Sequence, residues 1–404
     1  MKLKNNNLIF LTAFINGIHT YMMRVLIQPF VLSITSSMTM VGLVDGLTHS
    51  LVPSLIQLPS GFVSDRVGRK TPIIVASILI IFSFLVFLSA YFTGSIALVI
   101  LGAVLFGLGT LGAPARDSMV AESADASKRI MLYNLVAFAM VVPGIFTSFL
   151  GGKIADIRGY NAVFVISVFL EIACLILYLF LRESMTNKEN DIFNRKHMNI
   201  FLKNVFNVPR ALLVFYLIIA VDSFVWGLGY RILFGLLRRE YSLSLTQIGI
   251  LGSVSVFSWA VLQIPIGLFM NKFGCKKALI LSEVFGGVGL LGIILFKNFG
   301  LLVVFQVFLG LIPAFWLPAI RILVANSVSE NQRAESLGRL TLFTGVTGFL
   351  GSFAGGVIYE MSGLILPVLL NVIGAAIMVF TILFFIKESK DKSLMEVEPE
   401  YKVP

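Results

Sequence analysis

Apolar residues run along this chain in unbroken stretches separated by short polar gaps, a pattern distinct from the alternation of a half-buried strand or the single stripe of a soluble helix. Crossing the hydrocarbon core takes about 20 apolar residues in a helix. Stretches of that kind fall near residues 8–32, 41–62, 72–92, 95–115, 130–151, 161–181, 210–236, 247–270, 278–296, 300–324, 338–358 and 364–386. They predict an all-α integral membrane protein with twelve antiparallel spans. The run after the opening Met-Lys-Leu-Lys-Asn-Asn-Asn is long enough to span and lacks a small-residue cleavage site, so it reads as a retained first helix rather than a signal peptide. The longest polar stretch, Arg182 to Pro209, divides the chain into an N-terminal bundle of six spans (1–182), a linker (183–209), a C-terminal bundle of six (210–387) and a charged tail (388–404).

The halves repeat one another. Gln57-x-Pro59-x-Gly61 returns as Gln263-x-Pro265-x-Gly267, Pro114-Ala115 as Pro318-Ala319, and Gly151-Gly152 as Gly355-Gly356, at a nearly constant separation. Six spans, an even number, separate the copies. The two bundles are therefore expected to share one topology and to be related by a pseudo-two-fold axis along the membrane normal.

Composition strengthens this picture. Of 404 residues 57% are apolar and 13% charged, against roughly half and a quarter in soluble domains. The net charge of +10 raises nucleic acid as a partner, but the basic residues are scattered through short loops, and membrane orientation accounts for them better. About 24 of the 31 lysines and arginines fall on the side of the termini, about 5 on the other side, and Arg24 and Arg231 within spans; the positive-inside rule then places both termini in the cytoplasm of a cell-membrane protein. Two cysteines and three histidines without ligand spacing argue against a disulfide framework or a metal site. No cofactor and no nucleic acid is expected, and the chain is expected to work as a monomer in the bilayer.

After the second span comes Gly61-Phe-Val-Ser-Asp65-Arg66-Val-Gly68-Arg69-Lys70, with a degenerate copy at Gly267-Leu-Phe-Met-Asn271-Lys272-Phe-Gly274-Cys-Lys276-Lys277. This resembles the loop signature G-x-x-x-D-R-x-G-R-K of the major facilitator superfamily, and the twelve spans, six-plus-six repeat and basic central linker extend the resemblance over nearly the whole chain. The resemblance implies a secondary transporter in which Gly61, Asp65, Arg66, Gly68 and Arg69 form a gating loop that clamps the cytoplasmic face in the outward-open state. A purely orienting basic loop is the plainer alternative. Asp117 and Glu122, at the end of the fourth span, are candidate partners for Arg69; solvated surface charge is the competing account. The chain departs from the proton-coupled drug antiporters of the family in having Ala103 where they carry a fourth-span arginine, and Pro143-Gly144 in place of their fifth-span G-P-x-x-G-G. Both absences weigh against proton-driven drug export.

Ionisable residues inside spans are costly and mark a functional site or an ion pair. Arg24 and Arg231 are repeat equivalents on spans one and seven. One expectation is that they hold an anionic solute, such as an organophosphate, between two forked guanidinium groups; the others are snorkelling to headgroups or pairing of Arg24 with Asp45. Asp222, mid-way along span seven, is either a site for a coupling proton or other ion or a hydrogen-bonded structural aspartate. His19, Asn16 and Gln306 complete the candidate substrate- and ion-binding set, whereas Glu171 and Glu283 receive no role. No G-x-x-x-x-G-K-[ST], His-Glu-x-x-His or Gly-x-Ser-x-Gly pattern occurs, which argues against ATP-driven pumping and membrane enzymology. The reading that results is alternating-access transport of a small organic solute, a drug or metabolite, coupled to an ion. The alternatives are an organic-anion carrier using the two arginines, or a solute sensor of the same fold.

Overall fold

In the computed structural model, residues 5–123, 129–185, 208, 210–328 and 333–386 are described; most of the 183–209 linker and the 388–404 tail lie outside them. Among these residues twelve helices are long and apolar enough to cross a membrane: Asn5–Thr35, Met38–Gln57, Lys70–Thr93, Ile96–Glu122, Met131–Arg158, Tyr160–Leu179, Leu212–Glu240, Leu245–Phe273, Cys275–Leu295, Phe299–Asn326, Glu335–Ser362 and Ile365–Phe385, hereafter spans one to twelve. They match the apolar runs of the sequence, with ends displaced by a few residues. The displacement has a cause: polar and charged residues such as Glu122, Arg158 and Glu240 continue a helix past the hydrocarbon, because the backbone bonds extend while the side chains reach water.

Spans one to six pack on one another, as do seven to twelve. The two sets meet where span five lies along span eight and span two along span eleven. The tightest of these contacts fall at the end away from the N-terminus, the far end. A Cβ on Gly42 would stand 2.0 Å from the carbonyl oxygen of Ser352, and one on Gly152 would stand 2.1 Å from that of Leu245. Bare backbone at these positions lets helices of opposite bundles touch, which is how membrane helices gain dispersion energy without a hydrophobic driving force.

Two symmetric caps reinforce the contact. Span eight starts at Leu245 behind the N-cap Ser244, and its backbone N–H groups at Leu245 and Thr246 donate to Asp156 of span five at 3.0 and 2.7 Å. Span two starts at Met38 behind the N-cap Ser37, and the Met38 N–H donates to Glu360 of span eleven at 2.6 Å. Ser37 and Ser244 are repeat equivalents, as are Asp156 and Glu360. Each bundle thus supplies a carboxylate to the unsatisfied, partially positive helix start of the other. Among the described residues no such cap joins the bundles toward the N-terminal end, where Ile264 and Leu268 of span eight are exposed.

Gly42→Val is expected to break the span two–span eleven contact, since the colliding partner is backbone. Amide hydrogen exchange across Met38–Gly46 should accelerate at least tenfold in the variant and stay unchanged in span three.

Candidate functional site

Between the bundles lies a cavity of about 420 Å³. It is lined from span one by Tyr21, Arg24 and Gln28, from span two by Asp45 and His49, and from span seven by Asp222, Trp226, Tyr230 and Arg231. Ser255 and Trp259 of span eight and Gln306 and Trp316 of span ten complete its polar and aromatic wall. All three tryptophans of the chain face this space. Its volume falls within the ordinary range for small-molecule sites.

Two irregular helix segments build the far wall. Span two widens into a π-turn over Leu47–Leu51, and span seven breaks at 229–232 before resuming at Leu233. Irregular backbone at membrane depth is tolerated where it lines a cavity and finds partners. Here it does: the Tyr230 N–H donates to Asn371 Oδ1 at 3.0 Å, and Gln28 receives the Gly235 N–H at 2.8 Å while donating to the Arg231 carbonyl and to Asp45 Oδ1 at 2.9 Å. The break aims Arg231 at the π-turn. Its guanidinium donates to Ser50 and lies against Gly348, 3.0 Å from where a Cβ would be. Asp45 is also within 3.4 Å of His49 Nδ1.

The sequence candidates therefore separate. Arg231 is held by Ser50 beside Asp45, and Asp45 is taken by Gln28 and His49, so the pairing of Arg24 with Asp45 does not form. Arg24 lines the cavity, exposed, and makes no hydrogen bond or ion pair among the described residues. Asp222 and Gln306 line the cavity as well, with Gln306 Nε2 donating to Ser255 at 2.6 Å. His19 and Asn16 do not reach it. They are buried inside the N-terminal bundle, where His19 Nε2 contacts Glu171 Oε2 at 2.8 Å and Asn16 Oδ1 at 3.1 Å, Ser77 donates to Glu171 Oε1 at 2.5 Å, and Asn16 donates to the Tyr178 hydroxyl at 2.8 Å. Glu171 thus has the role of a paired internal charge, which its deep position in an apolar helix did not disclose.

Glu283 is the residue that sequence reasoning missed. Given no role on sequence grounds, it is 1% exposed and accepts from the Trp226 indole N–H at 2.9 Å. Gly286, one turn along span nine, leaves the room in which the Trp226 ring lies. Asp222, 2% exposed, accepts from the Trp316 indole at 2.9 Å. The Trp226 indole and the Glu283 carboxylate are both near enough to act on Asp222, and one oxygen of each acid, Asp222 Oδ1 and Glu283 Oε1, is buried without a partner. The repeat carried the signal: Ser77, which binds Glu171, is the counterpart of Glu283.

The loop after span two is ordered by charge. Gly68, at φ 106°, makes the turn. Arg69 donates to Asp65, to Ser64 at 2.7 Å and to Glu122 at 2.8 and 3.0 Å, and Ser184 closes on Glu122 at 2.5 Å. Arg66 stacks on the Phe62 ring at 3.5 Å. Gly61 lies 3.7 Å, measured from its would-be Cβ, from Pro114 of span four. Glu183 accepts the Arg69 and Lys70 N–H groups at the start of span three, at 2.9 and 3.2 Å. All these groups belong to the N-terminal half; Asp117, by contrast, feels both Arg116 and Arg321 of the other bundle.

A duplicated bundle of twelve spans around a polar, aromatic cavity sealed at one end is the architecture of a transmembrane transporter. The chain belongs to the Major Facilitator Superfamily, whose family model matches residues 9–237 and 215–400. It is 24% identical over 376 residues to an uncharacterized MFS-type transporter of Methanocaldococcus jannaschii, covering 89% of each chain. It is 26% identical over 310 residues to the class B tetracycline resistance protein of Escherichia coli, covering 75% of each. Among solved structures, the inward-open xylose transporter of E. coli superposes with a TM-score of 0.75 at 15% identity, over 98% of this chain and 99% of that one. The chain is thus an integral membrane protein and a secondary transporter of this superfamily.

Burial raises the Glu183 carboxyl, but backbone donors at Arg69, Lys70, Met185 and Ser184 outweigh it and hold its pKa below the ordinary glutamate value. A depressed folded-state pKa gives stability that is present above the unfolded value, near about 4.3, and lost as pH falls through the folded one. Glu183→Gln should therefore be less stable than the native chain at pH 7, by less than about 1 kcal/mol because the group is solvent-screened. Thermal-unfolding curves of the two proteins should converge near pH 3.

Proposed function

We propose that this chain is a proton-coupled carrier of a small organic solute, with the cytoplasm on the side of its termini and the cavity serving alternately either face. One observation carries the proposal: Asp222, in the cavity wall, and Glu283, bound to the cavity-lining Trp226, are buried acids near enough to act on each other, each with an unpartnered oxygen. Two carboxylates that act on each other out of water repel, and one proton on the pair relieves that repulsion. Two such groups titrate as a unit. Binding or loss of the proton then changes the charge of the cavity wall, which couples proton to solute. In this reading the coupling lies in the C-terminal bundle, since the fourth span has Ala103 where the proton-coupled antiporters carry their arginine.

The far-end interlock and the parting of the helices at the other end support a state open toward the termini. The loop cluster of Asp65, Arg69 and Glu122 fits a gating role: bound within one bundle here, its charges are free to trade partners when that end closes, with Asp117 and Arg321 already facing across. The resemblance to a tetracycline resistance protein supports a drug-sized solute and export as one direction of movement. A solute sensor of the same fold would bind without transport.

Because both acids hold indole N–H groups, the native fluorescence should report their proton. A titration of the purified protein between pH 5 and 9 is expected to show a step that persists in Trp259→Phe and vanishes in both Asp222→Asn and Glu283→Gln. A step surviving in those two variants would refute the shared-proton site.

A further inference from the structure

We infer that the solute is an aromatic carboxylate, bound with its acid group on Arg24 and its ring among the cavity indoles. This rests on the carrier reading above and names its substrate class.

The inference begins with charge. Of the cavity's charged groups, Arg231 is occupied by Ser50 and lies beside Asp45, Asp45 is shared with Gln28 and His49, and Asp222 is bound by Trp316. Arg24 alone among them stands without a hydrogen bond or an ion pair among the described residues, although it projects into the space at membrane depth. Its side chain is exposed to that space, and the wall around it offers aromatic groups: its charge acts on the hydroxyls of Tyr21 and Tyr230. A guanidinium presents a planar fork that matches a carboxylate with two parallel hydrogen bonds. The group that completes this site is an oxyanion brought by the solute.

The rest of the cavity restricts what is attached to that anion. Trp259 and Trp316 are only partly covered, and Trp226 meets Tyr230 edge to face at 5.6 Å. Flat π surfaces gathered in one apolar-walled space favour a flat partner, through stacking that adds to simple burial. A metabolite rich in hydroxyl groups would leave many of its donors facing indole carbon. A second cation would meet both Arg24 and Arg231. A planar ring bearing one carboxylate satisfies both walls.

The test uses the full chain in lipid nanodiscs and four probes of matched size: 2-naphthoate, 2-naphthamide, 2-naphthylmethylammonium and decahydro-2-naphthoate, with affinity read by calorimetry and by tryptophan quenching. Naphthoate is expected to bind at least tenfold more tightly than the amide, the ammonium or the saturated acid. Arg24→Gln should remove its advantage over the amide without changing amide binding, and Arg24→Lys should restore part of it. Equal affinity for naphthoate and naphthamide, unchanged naphthoate binding in Arg24→Gln, or binding of none of the probes would overturn the inference; equal binding of the saturated acid would overturn its aromatic half. Arg24 has no partner to lose, and matched thermal unfolding of the variants confirms that folding is not what changed. Failure of the proton-coupling reading is separate: it appears as a missing fluorescence step in protein that still binds naphthoate.

Discussion

In hydrocarbon every polar group must find a partner inside the protein or face a cavity, and that constraint organises this molecule. The bundles pack through glycine and apolar contacts, but the positions of the ionisable residues follow from where partners exist. His19 and Glu171 meet inside the N-terminal bundle, with Ser77 bound to Glu171 and Asn16 to His19. Gln28 serves Asp45, the Arg231 carbonyl and the Gly235 N–H together, holding the broken seventh span against the first. The groups left over, one oxygen each on Asp222 and Glu283 and the whole guanidinium of Arg24, stand at or beside the same cavity.

The duplication explains both the scaffold and its asymmetry. Where the copies agree, they do the same mechanical work: Ser37 and Ser244 cap spans two and eight, and Asp156 and Glu360 reach those helix starts from opposite bundles. Where they diverge, chemistry appears. His19 and Trp226 are counterparts, as are Ser77 and Glu283, so one bundle keeps a buried histidine–glutamate pair while the other places an indole in the cavity wall and a buried carboxylate on its N–H. Arg24 and Arg231 are counterparts too, yet the helix break at 229–232 and the π-turn over Leu47–Leu51 draw only the second into the wall.

Such an arrangement ties conformation to occupancy. The far-end contacts join backbone to backbone and carboxylate to helix start, so they hold or release as units rather than yielding gradually. The cavity lies between the two bundles and touches spans from both, so a solute bridging Arg24 on span one and the indoles of spans seven, eight and ten would bear directly on how the bundles sit together.

The sequence by itself determined the number of spans, their order, the internal repeat and the family, because each is written locally: hydrocarbon-length runs, recurring glycine and proline positions, and one charged loop motif. It also brought forward Arg24, Arg231, Asp222 and Gln306, since polar residues stand out in apolar helices. Depth along a helix is legible in this way, but rotation about its axis and the identity of the facing side chain are not. Only the tertiary structure decided that His19 meets Glu171, that Arg231 is held and Arg24 is free, and that Glu283 sits beside Asp222. Each of those outcomes depends on which faces of three or more helices converge, a matter of packing angle and helix irregularity that no run of consecutive residues encodes.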